Sequence, residues 1–367
     1  MDALFDGSIL GRMARGSVRL LLVGAAAIVL AILVVKLRLV VLPALLSLFI
    51  VVILAPPKDW LVGHRVPPAL ASFLVLIAAL TVLATIVTLL APRFASELAE
   101  LGQTAGAGIE EVTGALAEGS LGISEADVGR ALDEALVTLE SNSAQITQGL
   151  LSGAILIGEV LAGLLLMLVM IFFYLKDGDR IWAWIVGLFP SGETRTDVNE
   201  LGRRAWATLT GYIRGVALVA VVDSVLIGIA LAILGVPLVL PLAVLTFFAA
   251  FFPLVGAFTA GLLAALVALV SQGVLIAAIV VVVITLIQQL EGDILYPVVV
   301  GRAIRLHPLA ILVALTAGGV TAGIMGALLA PPLMAVGWTI VAYLRDHADR
   351  PPPVDEGGLT LAEGPVE

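Results

Sequence analysis

Gly273-Val274-Leu275-Ile276-Ala277-Ala278-Ile279-Val280-Val281-Val282-Val283-Ile284-Thr285-Leu286-Ile287 is an almost wholly apolar run that ends in Gln288-Gln289-Leu290-Glu291-Gly292-Asp293-Ile294-Leu295-Tyr296-Pro297. Gly301-Arg302-Ala303-Ile304-Arg305-Leu306-His307-Pro308 follows, and then a second apolar run broken by Gly318-Gly319, Gly323, Gly326 and Pro331-Pro332. A run of that length and composition is a membrane-spanning helix. Ionisable groups and irregular backbone beside a hydrocarbon core persist where protein or a water-filled cavity surrounds them, and this is where polar solutes and ions pass.

Composition extends the reading to the whole chain. Of 367 residues, 61% are hydrophobic and 13% charged, and the mean hydropathy is +1.16. Soluble domains carry about 25% charged residues, so this chain belongs in a bilayer. With no cysteine, disulfides, thiolate catalysis and Cys-ligated metals are excluded. His64, His307 and His347 stand far apart, and no metal site is expected. A net charge of −9 argues against nucleic acid as a partner. None of Lys36, Lys58 or Lys176 sits in a phosphate-binding loop, so transport by this chain is passive or driven by an ion gradient. No cofactor is expected, and no enzymatic activity: an intramembrane protease would need histidine or paired-aspartate settings that Asp223 and Asp293 do not have.

The expected fold is all-α, a polytopic transmembrane helical protein. About eight membrane segments are predicted, near Val18–Val35, Leu39–Ala55, Pro68–Ala91, Leu151–Leu175, Gly215–Leu234, Leu242–Val270, Gly273–Leu290 and Leu309–Leu344. The first reads as a retained span, since no small-residue cleavage site follows it. The second is short and carries Pro43, so that a tilted span and a segment that does not cross both stay open. Pro253 and Gly256 in the sixth, and Gly318, Gly319 and Pro331 in the eighth, are candidate sites of broken helices or re-entrant hairpins, with a simple kink the alternative at Pro253 and Gly256. The chain divides into N-terminal spans (1–91), an acidic helical region outside the membrane (92–150), a C-terminal transport region (151–345) and an acidic tail (346–367). In the second of these, Ile109, Val112 and Leu116, then Val128, Leu132, Leu136 and Leu139, recur at the spacing of amphipathic helices. The tail is too poor in apolar residues to order itself. Lys and Arg fall mostly on one side if all eight segments cross, which places both termini in the cytoplasm. Arg302 and Arg305 break that pattern, unless their loop folds back or a segment near Pro253 does not cross.

Asp223 is the one ionisable residue deep in its span. An Asp there costs about 2.5–3.5 kcal/mol on insertion scales. It therefore faces the interior, either as a protonatable or cation-binding carboxylate or as a structural hydrogen-bonding group, with Ser224 a candidate go-between. Gln288 and Glu291 share one helical face and Gln289 and Asp293 another, while Gly292 offers a place for the helix to open. The amides suit hydroxylated or carbonyl solutes, because they both donate and accept. Arg302, Arg305 and His307 could hold an anionic solute or pair with Glu291. The alternative for Glu291 and Asp293 is a capped helix end with salt bridges to Arg302 or Arg305. Alternatively, His307-Pro308 is a plain helix start.

The strings Gly235-Val236-Pro237-Leu238, Phe251-Phe252-Pro253-Leu254-Val255-Gly256, Gln288 through Pro297, Gly301-Arg302-Ala303, Leu306-His307-Pro308 and Gly323-Ile324-Met325-Gly326-Ala327-Leu328-Leu329-Ala330-Pro331-Pro332 resemble the autoinducer-2 exporter family of bacterial membrane proteins. The likeness is specific from about residue 170 to 340. It implies a bacterial inner-membrane exporter of small polar signalling molecules, and a homo-oligomer. Some family members are reported as sodium/proton antiporters, so cation/proton exchange through Asp223 or Glu291 is the rival within the same class. A non-transporting membrane scaffold is the rival outside it, and it would need no buried Asp223. The expected partners are lipids, a small polar solute, and protons or sodium.

Overall fold

The computed structural model describes residues 36–90, 150–252, 255–295 and 307–348, with a few isolated positions besides. The expected first span, the acidic region 92–149 and the tail from 349 onward lie outside the described residues. Among the described residues every regular element is helical: α1 (Arg38–Gly63), α2 (Pro68–Leu90), α3 (Leu150–Gly187), α4 (Glu193–Ile233), α5 (Val239–Ala249), α6 (Val255–Leu290), a π-helical turn (Glu291–Leu295) and α7 (Pro308–Ala348). Six of these helices are long and apolar enough to cross a membrane, and α5, with 11 residues, is not. The chain is a polytopic all-α membrane protein.

α1 differs from expectation in length. It continues through Pro43, Pro56 and Pro57 to Gly63, 26 residues in all, or about 39 Å of helix. Each proline removes one backbone donor, and neighbouring helices stabilise the backbone around it. Pro43 is buried and lies against Gly163 of α3, where an added Cβ would stand 3.9 Å from the proline Cγ. Eight residues further along both helices, Val51 of α1 packs with Ile171 and Leu175 of α3 and with Leu76 of α2. α1 and α3 therefore run parallel. Phe49 and Val52, on another side of α1, join Leu209, Tyr212, Ile213 and Val216 of α4 and Leu329 of α7.

α4 organises the second half. Its 41 residues span about 61 Å, so its polar first turns extend beyond its apolar stretch. There Arg195 donates to the carbonyls of Gly187 and Phe189 at the end of α3, at 3.3 and 3.0 Å, satisfying acceptors that the helix terminus leaves free. The Trp182 indole donates to Asn199 at 2.9 Å and lies so close to Gly202 that a Cβ there would overlap the ring. At the opposite end of α4, Gly235 takes φ +68° and the chain turns into α5.

Two helices fold back on themselves. In α6, Gly273 adopts φ 83°, ψ 178°, a conformation open to glycine. An added Cβ on Gly261 would stand 3.5 Å from Ile284 Cγ2, which a straight helix would hold about 35 Å away. α6 is thus two antiparallel arms of about equal length. In α7, Gly323 takes φ 60°, ψ −146°, and Gly318 and Gly326 meet so closely that a Cβ on either would overlap the other's carbonyl. The two arms of α7 meet backbone to backbone across small residues, a contact that membrane helices favour.

These turns define two opposed hairpins. α5 and the first arm of α6 leave from the C-terminal end of α4 and return to it. Ala249 abuts Gly256 near the break, and Gln272 donates to the Gly235 carbonyl at 2.7 Å. α7 comes from the other end. Thr339 hydrogen-bonds Thr208 at 3.0 Å, Tyr343 donates to Asp197 at 3.2 Å, and the Arg204 guanidinium lies 5.0 Å from the Tyr343 ring centre. Leu329 packs against the middle of α4, and the Gly323 turn lies about 9 Å further along, within about two helical turns of Asp223. The expected sixth segment, Leu242–Val270, takes the re-entrant form held open for it: its halves are the two limbs of the α5–α6 hairpin.

Candidate functional site

A cavity of about 60 Å³ opens where the α5–α6 hairpin meets α4. Asp223 and Ile227 of α4, Thr246 and Ala250 at the end of α5, Phe252 in the break, Ala257, Ala260 and Gly261 on the first arm of α6, and Ile284, Gln288 and Glu291 on its second arm and the π turn line it. Small residues at 257, 260 and 261 leave the space open. Pockets for drug-sized ligands measure roughly 300–1,000 Å³, so the cavity in this conformation has room for a few waters or an ion.

Asp223 is 6% exposed. Its Oδ1 is buried without a hydrogen-bond partner, and the carboxyl of Glu291 faces it. Ser224 does not mediate a helix-to-helix bond, because its hydroxyl donates to Val221 of its own helix at 3.0 Å. Thr246, buried inside α5, donates to the Leu242 carbonyl at 2.8 Å, which leaves its oxygen lone pairs available. The break places the C-terminal end of α5 and the N-terminal end of α6 together, so their opposite partial charges largely offset each other. The fixed charge of the cavity then rests on Asp223 and Glu291.

The π turn decides which polar residues reach the cavity. Its wider backbone turn begins at Glu291, where Gly292 weakens the α-helix. Gln288 and Glu291 line the cavity, whereas Gln289, Gly292 and Asp293 are exposed and do not. An added Cβ on Gly292 would meet nothing within 4 Å.

The remaining sequence candidates fall elsewhere. Gly256 closes the tip of the hairpin through its contact with Ala249. His307 starts α7: its Nδ1 accepts the Leu309 amide at 3.2 Å, the plain helix-start reading. Gly318 forms the close crossing of α7, Gly319 sits beside Ala327, and Pro331 is buried one turn beyond. Pro253, Arg302 and Arg305 lie outside the described residues. Thr246 was missed by sequence reasoning; its signal is a lone hydroxyl residue within the apolar run of α5. No group of three His, Cys, Asp or Glu side chains able to hold a metal occurs among the described residues.

A sequence profile described as AI-2E family transporter matches residues 20–346. The Mycobacterium tuberculosis (strain CDC 1551 / Oshkosh) protein MT0215 is 40% identical over 317 residues, covering 86% of each chain. YrrI of Bacillus subtilis (strain 168) is 29% identical over 301 residues, 80% of this chain and 83% of its own. YueF of the same organism is 34% identical over 167 residues, 45% and 44% of the two chains. All three are named as candidate transport proteins.

Proposed function

We propose, for a chain that belongs to the AI-2E transporter family, that it is a secondary transporter exporting small polar solutes of the autoinducer-2 type across a bacterial inner membrane. The observation that carries this reading is the cavity holding Asp223, Gln288 and Glu291 at a break between apolar helices. A membrane helix protein gains nothing in stability from two facing carboxyls there. A pathway for polar cargo needs them, and discontinuous helices are a recurrent way of building one. The absence of a phosphate-binding loop supports an ion gradient as the energy source. Cargo larger than the cavity is admitted when the α5–α6 hairpin and the second arm of α6 part.

Both termini are assigned to the cytoplasm, where Lys176, Arg180, Arg195, Arg203 and Arg204 cluster at the α3–α4 end. Because the α5–α6 hairpin returns to the end it left, the second arm of α6 heads toward that basic side. A homo-oligomer remains the expected assembly.

The test is solute flux in proteoliposomes containing the purified protein, loaded with small hydroxylated carbonyl compounds, autoinducer-2 among them. Efflux above protein-free vesicles is expected, reduced at least about 10-fold in Gln288→Ala and in Glu291→Gln. Unchanged efflux in Glu291→Gln removes the carboxyl from the pathway.

A further inference from the structure

We propose that the outer face of α4 carries a binding site for an anionic phospholipid of the leaflet at the basic end, centred on Arg214. The guanidinium takes the lipid phosphate, and the acyl chains lie along the apolar stripe beneath it. The site is on the far side of α4 from the cavity and stands apart from the transport reading.

The first observation is the direction in which Arg214 faces. Leu218, Val221, Val225 and Ile229 are 52%, 47%, 51% and 53% exposed and recur three or four residues apart, which makes them one face of the helix. Arg214 continues that stripe and is itself exposed. Asp223 follows nine residues later, two and a half turns on, and so points to the opposite, buried side. Arg214 therefore faces away from the helix bundle.

The second is depth. From Arg214 to the Gly235 turn α4 rises about 32 Å, which matches a hydrocarbon layer of about 30 Å. Trp206, 42% exposed, stands about 12 Å further out, at the headgroup level where tryptophan concentrates. Arg214 is thus placed at the hydrocarbon boundary. Helical side chains lean toward the N-terminus of their helix, here the basic end. Gly211 and Ala207, next along the same stripe and both exposed, leave the way to the phosphates clear.

The third is charge. Of the four arginines of α4, Arg195 serves the carbonyls that end α3, and Arg203 and Arg204 share Glu200. Among the described residues Arg214 has no such partner, and its exposure leaves the guanidinium open to a ligand. A phosphodiester accepts that planar fork through two oxygens. In phosphatidylcholine a choline cation already accompanies the phosphate. Phosphatidylglycerol carries none, so its phosphate gains more from the arginine.

The test uses the full-length protein in mild detergent. Mass spectrometry of the intact protein counts the lipids retained from an equal mixture of phosphatidylglycerol and phosphatidylcholine. Wild type is expected to favour phosphatidylglycerol about 3-fold or more. Arg214→Gln should lose the preference and Arg214→Lys should keep part of it. Arg180→Gln, which alters a side chain 87% exposed on α3, should keep all of it. In parallel, phosphatidylglycerol should raise the apparent Tm of wild type more than phosphatidylcholine does, and inorganic phosphate no more than chloride. Equal retention of the two lipids by wild type overturns the proposal, as does a preference retained in Arg214→Gln. A Tm response to inorganic phosphate equal to that with lipid also overturns it. So does a Tm loss in Arg214→Gln that is the same in both lipids, since the guanidinium then holds protein, a second copy included. If Arg214→Gln does not fold, the lysine variant decides: an undiminished preference there rules out the two-oxygen contact.

Discussion

At the scale of single residues, the glycines of this chain separate into those that space demands and those that it does not. Gly256 abuts the Ala249 carbonyl, a backbone atom that cannot rotate away. Gly256→Ala is expected to destabilise by about 1–3 kcal/mol, as overpacking does, and to lower the apparent Tm in detergent. Gly292 opens onto empty space, and Gly292→Ala should change stability by less than about 1 kcal/mol. A reversed order of the two Tm values would refute the packing around the hairpin. The sequence marked both positions, but not the difference between them, because proximity to Ala249 depends on the break. It identified Asp223 through its isolation in an apolar run. Its facing partner was not legible, since nothing local in Asp223 or Glu291 announces a neighbour far along the chain.

At the scale of elements, the folding back of α6 and α7 distinguishes this architecture from a row of simple spans. Because the chain has no native cysteine, paired cysteines test it without background. Gly319→Cys with Ala327→Cys should form a disulfide under mild oxidation, since a Cβ at 319 would stand 4.0 Å from that of Ala327, close to the spacing a disulfide needs. Gly261→Cys with Ile284→Cys should also cross-link, with Gly261→Cys paired with Leu275→Cys as the negative control. Failure of both expected pairs in folded protein would mean that α6 and α7 are straight. The breaks were readable from Pro253, Gly256 and the glycine pair at 318 and 319. Their sense was not: a glycine that kinks a helix and one that reverses it look alike until φ is known, as Gly273 and Gly323 show. α1 gives the opposite lesson. Pro43 and the short apolar run suggested a tilted span or one that does not cross, and the helix continues through Pro43, Pro56 and Pro57, packed against α3 and α4.

For the molecule as a whole, the two hairpins leave opposite ends of α4, and orientation becomes a measurable property. Gln272 lies at the Gly235 end and Ser191 at the basic end. In intact cells an impermeant thiol reagent is expected to label Gln272→Cys from outside and to leave Ser191→Cys untouched until the membrane is opened. The reverse pattern would invert the assigned direction of export.

Both hairpins bring their turns to the middle of α4, one from each end. Elsewhere in a bilayer the membrane voltage falls across about 30 Å of hydrocarbon. Where water can follow two hairpins inward, most of that fall is compressed into the short stretch beside Asp223. A full elementary charge crossing 100 mV gains or loses about 2.3 kcal/mol, and here a displacement of a few ångströms collects much of that sum. With water in both hairpins, small rearrangements of their turns do electrical work that a longer pathway would spread over its whole length.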